Sequence, residues 1–133
     1  MKKVRGYIFS RTFMGERVPQ HVQNIVIRDY CTSLRLRYLL SVTEYVMEDC
    51  HLILENVLDE LSEVDGVVMY SLFQLPRDPI CRNNVYKRIL AANKTLHFAV
   101  EGLRILNQED VSRVENIWNI RNILPLCLQP QGV

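Results

Sequence analysis

Short, continuous apolar runs alternate with amphipathic stretches four times along this chain, and that alternation limits the fold more than any other feature. Val4–Ser10, Arg37–Val42, Val67–Ser71 and Thr95–Val100 are too short and too evenly apolar for helices, and they read as strands covered on both faces. Between them the apolar period lengthens to that of a helix. Gln20–Ser33 carries Val22, Ile25, Val26 and Tyr30 at helical spacing. Asp49–Ser62 carries Leu54, Val57, Leu58 and Leu61 on one stripe, with Glu55, Asp59 and Glu60 outside it. A third helix starts at Asp78-Pro79, a cap followed by proline at the first helical position, and is expected to reach about Ala92. The last, Gln108–Ile120, uses Val111, Val114, Ile117 and Trp118. Strands separated by helices pair in parallel through right-handed crossovers. The expected architecture is α/β: a small doubly wound, mostly parallel sheet of four strands, with room for a fifth, and helices on both faces. One domain over residues 1–123 and a tail from Leu124 to Val133 account for the 133 residues.

Composition supports this and excludes several classes. Apolar residues make up 48% and charged residues 23%, enough to bury a core without metal or disulfide staples. No stretch approaches the roughly 18 apolar residues of a membrane span. The first ten residues lack an apolar signal core, so no secretory signal is expected. The cysteines at 31, 50, 81 and 127 form no Cys-x-x-Cys pair, so they are read as reduced thiols of a cytoplasmic protein with no metal site. There is no Gly-x-Gly-x-x-Gly, phosphate loop or His-Glu-x-x-His, and no cofactor is expected. The formal charge of +1 argues against a generic polyanion binder. It hides a segregation: residues 1–37 carry a net +6, residues 38–65 a net −8 with no Lys or Arg, and the remainder +3. Such blocks are solvated faces of opposite sign, or they complement each other within the domain or across a homodimer, to which Trp118 could also contribute.

In a doubly wound fold, ligands bind beyond the C-terminal ends of the strands. Ser10, Arg11, Arg17, Gln20 and His21 follow the first strand. Thr43, Glu44 and Tyr45 follow the second, Ser71, Gln74 and Arg77 the third, and Glu101 the fourth. Arg11, Arg17 and Arg77 could clamp a phosphate or carboxylate, or serve only in surface ion pairs. His21, Glu44 and Glu101 are the candidate acid–base groups. Gln20, Gln23, Asn24 and Gln74 offer the donors and acceptors that sugar hydroxyls require, and Ser10, Tyr45 and Ser71 complete the candidate binding set. His97 sits mid-strand and reads as a core or edge residue.

Two family resemblances follow from these residues. Arg5-Gly6-Tyr7-Ile8-Phe9-Ser10, Gln20-x-x-Gln23 with Arg28-Asp29-Tyr30-Cys31, and Val67–Asp78 resemble the opening strand, first helix and Leu-Asp-Arg-Leu-Gly-Arg-Asp signature of the serine recombinase (resolvase) catalytic domain. Counted from Tyr7, however, Arg11 stands where that family has its nucleophilic serine, and Phe9 stands for its arginine. Ser10 falls one residue early, on the opposite side of a strand. Phe73-Gln74 replaces Asp-Arg, and only Arg77 survives. The resemblance implies the fold and opposes the recombination reaction. Nearly the whole chain resembles the sporadic carbohydrate cluster protein family, through Gly6–Arg11, Gly15–Asn24, Thr43-Glu44-Tyr45, Tyr70–Pro76 and Leu96–Glu101. That resemblance implies a cytoplasmic bacterial protein of surface-polysaccharide, lipopolysaccharide or unusual-sugar biosynthesis, with a sugar phosphate, nucleotide sugar or sugar acid as ligand. Three functions follow: a small enzyme acting on such a sugar, a non-catalytic partner or regulator of a biosynthetic enzyme, and a DNA-acting resolvase relative.

Overall fold

A computed structural model describes residues 1–10, 17–45 and 51–127, with side chains described as far as Arg121. Five strands form one sheet: β1 (Lys3–Phe9), β2 (Arg37–Glu44), β3 (Gly66–Met69), β4 (Thr95–Phe98) and β5 (Leu103–Ile105). Their order is β2-β1-β3-β4-β5, parallel throughout except for β5, which pairs antiparallel with β4. Four helices connect or follow them: α1 (Gln20–Ser33), α2 (Leu52–Asp59), α3 (Pro79–Ala91) and α4 (Gln108–Cys127). The α/β doubly wound expectation holds, and the fifth strand is present.

The fifth strand exists because Gly102 reverses the chain. Its φ of +66° suits glycine, and its N–H bonds the Phe98 carbonyl at 2.9 Å, closing the turn. Leu103 and Ile105 then join the buried face, while Arg104 points the other way and is exposed. At the chain's end, α4 continues to Cys127, through the Leu124 at which a tail was expected; the residues beyond lie outside those described.

The two faces of the sheet differ in thickness. One is covered by α2, α3 and α4. There Leu54, Val57, Val85, Ile89, Val111, Val114 and Trp118 close over Tyr7, Phe9, Val67, Met69, Leu96 and Phe98. The other is covered, among the described residues, by α1, with Ile27 and Cys31 over Val4, Ile8 and Val68. Burial pushes the Cys31 thiol up to about 11, so it packs as a small apolar group. β2 carries a bulge against β1. Arg5 pairs with Leu39 and Tyr7 with Val42, so Leu40 and Ser41 together face Gly6. A side chain at position 6 would collide with Ser41 and Tyr38, which explains the glycine.

Candidate functional site

The polar residues expected at the C-terminal ends of the strands do converge there, but most of them brace the loops. Glu44, at the end of β2, is 1% exposed. One carboxylate oxygen accepts the Ile53 N–H at 3.1 Å, and the other accepts the Leu54 N–H at 3.0 Å and the Tyr7 hydroxyl at 2.8 Å. His51, at the cap position of α2, makes no side-chain cap bond, so Glu44 satisfies the first turn from outside the helix and places a negative charge at its positive end. The residue expected to act as an acid or base is thus buried with both oxygens occupied.

Gln23 and Gln74 form a second brace, each fully buried. The Gln23 carbonyl accepts the Phe9 N–H at 3.0 Å and the Gln74 amide at 2.9 Å, and its own amide donates to the Phe9 and Val18 carbonyls, each at 2.8 Å. The Gln74 carbonyl accepts the Tyr70 N–H at 3.2 Å. Gln23 thereby acts as an extra strand partner for the last residue of β1, and the two amides tie α1 to the loop after β3. A third brace joins that loop to the β4–β5 turn. Glu101 accepts the Ser71 hydroxyl at 2.8 Å and the Leu72 N–H at 3.0 Å, and Ser71 in turn accepts the Phe73 N–H at 3.2 Å. Ser10 donates its N–H and hydroxyl to the Glu44 carbonyl, at 2.9 and 3.0 Å. Asn24 lies lower on α1 and accepts the Tyr38 hydroxyl at 2.7 Å. Fully satisfied buried networks of this kind rigidify what they hold.

The exposed members of the set are Arg17, Gln20, His21, Tyr45 and Arg77. Arg11 lies outside the described residues. Arg17, Gln20 and His21 stand at the entry of α1, where Pro19 occupies the cap position without a side-chain bond. Arg77 stands before α3, beside a shallow cavity of about 520 Å³ that it lines with His51, Pro76, Asp78 and Cys81. Among the described residues Arg77 has no ion-pair partner. Asp78 caps α3 by accepting the Ile80 N–H at 2.9 Å. Cys81 donates its thiol to Asp78 at 3.7 Å, and desolvation together with Asp78 raises its pKa, which disfavours a nucleophilic thiolate.

Arg82 fixes the loop that carries Arg77, and the candidate set missed it. It is 3% exposed and donates to the Pro76 and Arg77 carbonyls at 3.1 and 2.9 Å. It also forms a two-pronged pair with Glu115 of α4, at 2.7 and 2.9 Å, and lies 4.3 Å from the centre of the Trp118 ring. Burial tends to raise the Glu115 pKa, but Arg82 and the Tyr86 hydroxyl together hold it below the usual carboxylate range. The signal was present in the sequence, because Arg82 shares a helical stripe with Val85, Tyr86 and Ile89. Trp118 is a core residue, packed on Phe73 with ring centres 5.5 Å apart. Among the described residues, α2's Glu55 and Asp59 pair with Arg88 of α3, not with the basic first third. Among the described residues, no cluster of three or more His, Cys, Asp or Glu is placed to hold a metal, and no helix is long and apolar enough to cross a membrane.

No protein-family model matches the chain, and no curated protein is similar to it. Among solved structures it is similar to the crystal structure of the N-terminal catalytic domain of TP901-1 integrase, with a TM-score of 0.60 and 12% identity over 90% of this chain and 95% of that one. The fold is resolvase-like. At that identity the likeness extends to the fold alone.

Proposed function

We propose that this protein binds a small acidic carbohydrate (a sugar phosphate, nucleotide sugar or sugar acid) at the C-terminal rim around Arg77, as a cytoplasmic protein of bacterial surface-carbohydrate biosynthesis. The observation that carries this reading is an exposed arginine beside a cavity, without an ion-pair partner among the described residues, on a loop whose carbonyls are held by buried Arg82. A backbone held in this way needs little further ordering on binding, and the planar fork of the side chain suits phosphate or carboxylate. Arg17, Gln20, His21 and Tyr45 are the further ligand contacts of this reading, with Arg11, which lies outside the described residues, added from its place in the sequence. The pathway assignment rests on the resemblance of the chain to the carbohydrate cluster family. With Glu44 and Glu101 engaged in bracing loops, any acid–base step falls to His21, and a binding or regulatory role fits the site better than turnover.

The fold likeness to an integrase catalytic domain favours a second reading, in which the anion at Arg77 is a DNA phosphodiester. A thermal-shift screen separates the two. Sugar phosphates, nucleotide sugars and sialic-acid-like sugars are expected to raise the melting temperature by mass action, and Arg77→Ala to abolish the shift. A shift that survives Arg77→Ala removes the arginine from the site. Salt-sensitive duplex binding without any sugar effect transfers the site to the second reading.

A further inference from the structure

Among the described residues β2 is an edge strand bonded only to β1, and the backbone groups along its other side have no strand partner there. Sheets normally blunt such an edge with short strands, charges, proline or bulges. The opposite edge does so: β5 has three residues with exposed Arg104 in the middle. β2 has eight residues, and its run Tyr38–Thr43 contains neither charge nor proline. Leu40, in the middle of that run, is 80% exposed. Within Tyr38–Thr43 the blunting device is the bulge at Leu40–Ser41, and the exposed charge of Arg37 stands only at the strand's start.

A groove of about 550 Å³ runs beside this edge, between β2 on one wall and α2 with the turn after it on the other. Val42, Ile53 and Val57 supply apolar floor. The direction of α2 is fixed at both ends: it starts beside Glu44, at the top of β2, and its following turn ends where the Asp65 N–H bonds the Lys3 carbonyl at the foot of β1. Glu60 and Glu63 therefore line the lower end of the groove. Both are exposed, and among the described residues neither has an ion-pair partner. Arg5 also lines the groove, with its guanidinium donating to the Leu40 carbonyl at 3.1 Å.

We infer that this edge and groove receive an extended segment of a partner protein that carries lysine or arginine and adds as a sixth strand beside β2. The open edge supplies main-chain hydrogen bonds, the floor takes alternate apolar side chains, and Glu60 and Glu63 select the basic ones. A second copy of this chain fits less well. Antiparallel self-pairing of β2 about Leu40–Ser41 brings Arg37 of one copy to the top of the other, beside buried and fully bonded Glu44, and leaves Glu60 and Glu63 unanswered at the foot.

Fluorescence anisotropy with a labelled, alternating lysine–valine hexapeptide tests this on the full chain. That peptide is expected to bind, and its glutamate–valine counterpart to bind at least about tenfold more weakly. A backbone N-methylated lysine–valine peptide should fail, because it cannot complete the ladder. The double variant Glu60→Lys/Glu63→Lys, at exposed positions that leave the core intact, should reverse the preference. Equal binding of the two charge types, binding of the N-methylated peptide, or no binding of any peptide each overturns the inference. A concentration-dependent dimer that Leu40→Lys dissolves assigns the edge to a second copy and overturns it as well.

Discussion

The two faces of the sheet are held by different physics. The face under α2, α3 and α4 is thick and apolar, and its buried charges are matched: Arg82 by Glu115 and the Trp118 ring, Glu44 by the Tyr7 hydroxyl and the first N–H groups of α2. The face under α1 has a small cluster around Ile27 and Val68, edged by partly buried Tyr30, Leu36, Tyr38, Tyr70 and Ala99, and oriented hydrogen bonds add to it. Tyr30 of α1 meets one nitrogen of His97 at 2.8 Å, and Thr95 meets the other at 2.9 Å. Tyr38 of β2 bonds Asn24 of α1 and Ser41. A helix with little apolar area to bury can still be fixed in orientation by such bonds, but the bonds make its attachment depend on proton occupancy. Volume should therefore govern the thick face, and pH the thin one.

Phe98→Ala should show the largest effect. Phe98 is fully buried on the thick face, and emptying its site should destabilise the protein by about 4 kcal/mol at any pH from 5 to 7, read from denaturant midpoints. A loss below about 1 kcal/mol would mean that the thick face is not the main source of stability. His97 should give the next largest effect, through pH. Burial first, then the charges of Arg104 and Lys2, lower its pKa from 6.5 to about 4. The folded state thus keeps it neutral where the unfolded chain protonates it. Its contribution is complete above pH 6.5 and is lost as pH falls toward 4. Between pH 7 and 5 the loss should be about 2 kcal/mol, and His97→Gln should remove that part of the slope. If wild type and His97→Gln show the same slope, the thin face is not the pH-sensitive one.

The fold was legible in the sequence because strand and helix periods alternate cleanly, and Asp78-Pro79 even marks a helix start that the structure shows to be capped. The site was legible in composition but not in role. Glu44 ends β2, Gln74 follows β3 and Gln23 lies in the first turns of α1, near the rim as ligand-binding residues would, yet each is buried and bonded to backbone. A one-dimensional pattern places a polar side chain near the rim but does not say whether it turns outward to a ligand or inward to an unsatisfied N–H. Helix α2 illustrates the point. Its cap residue, His51, makes no side-chain cap bond, and an acceptor for the first turn is supplied by Glu44 at the end of the preceding strand. Arg82 was missed for the converse reason: arginine is expected outside, and its partner Glu115 lies on another helix.

Tyr38→Phe should have the smallest effect and gives the finest resolution of the comparison. The hydroxyl donates to Asn24 at 2.7 Å and contacts Ser41, while Arg28 lies 5.9 Å from the ring centre. Removing one oxygen keeps the ring and that stacking. The pair is only partly buried, so water can reach the orphaned acceptor, and the cost should be about 1 kcal/mol. Because this contact contains neither a histidine nor a carboxyl group, the cost should be the same at pH 5 and pH 7, unlike that of His97. The substitution also examines Asn24 as a ligand group. Its carbonyl already accepts from Tyr38 on the α1 face, away from Arg77, so sugar-dependent thermal shifts should be unchanged in Tyr38→Phe. If those shifts change while the stability cost stays near 1 kcal/mol, then α1's attachment to β2 belongs to the binding site, and the thin face is functional rather than only structural.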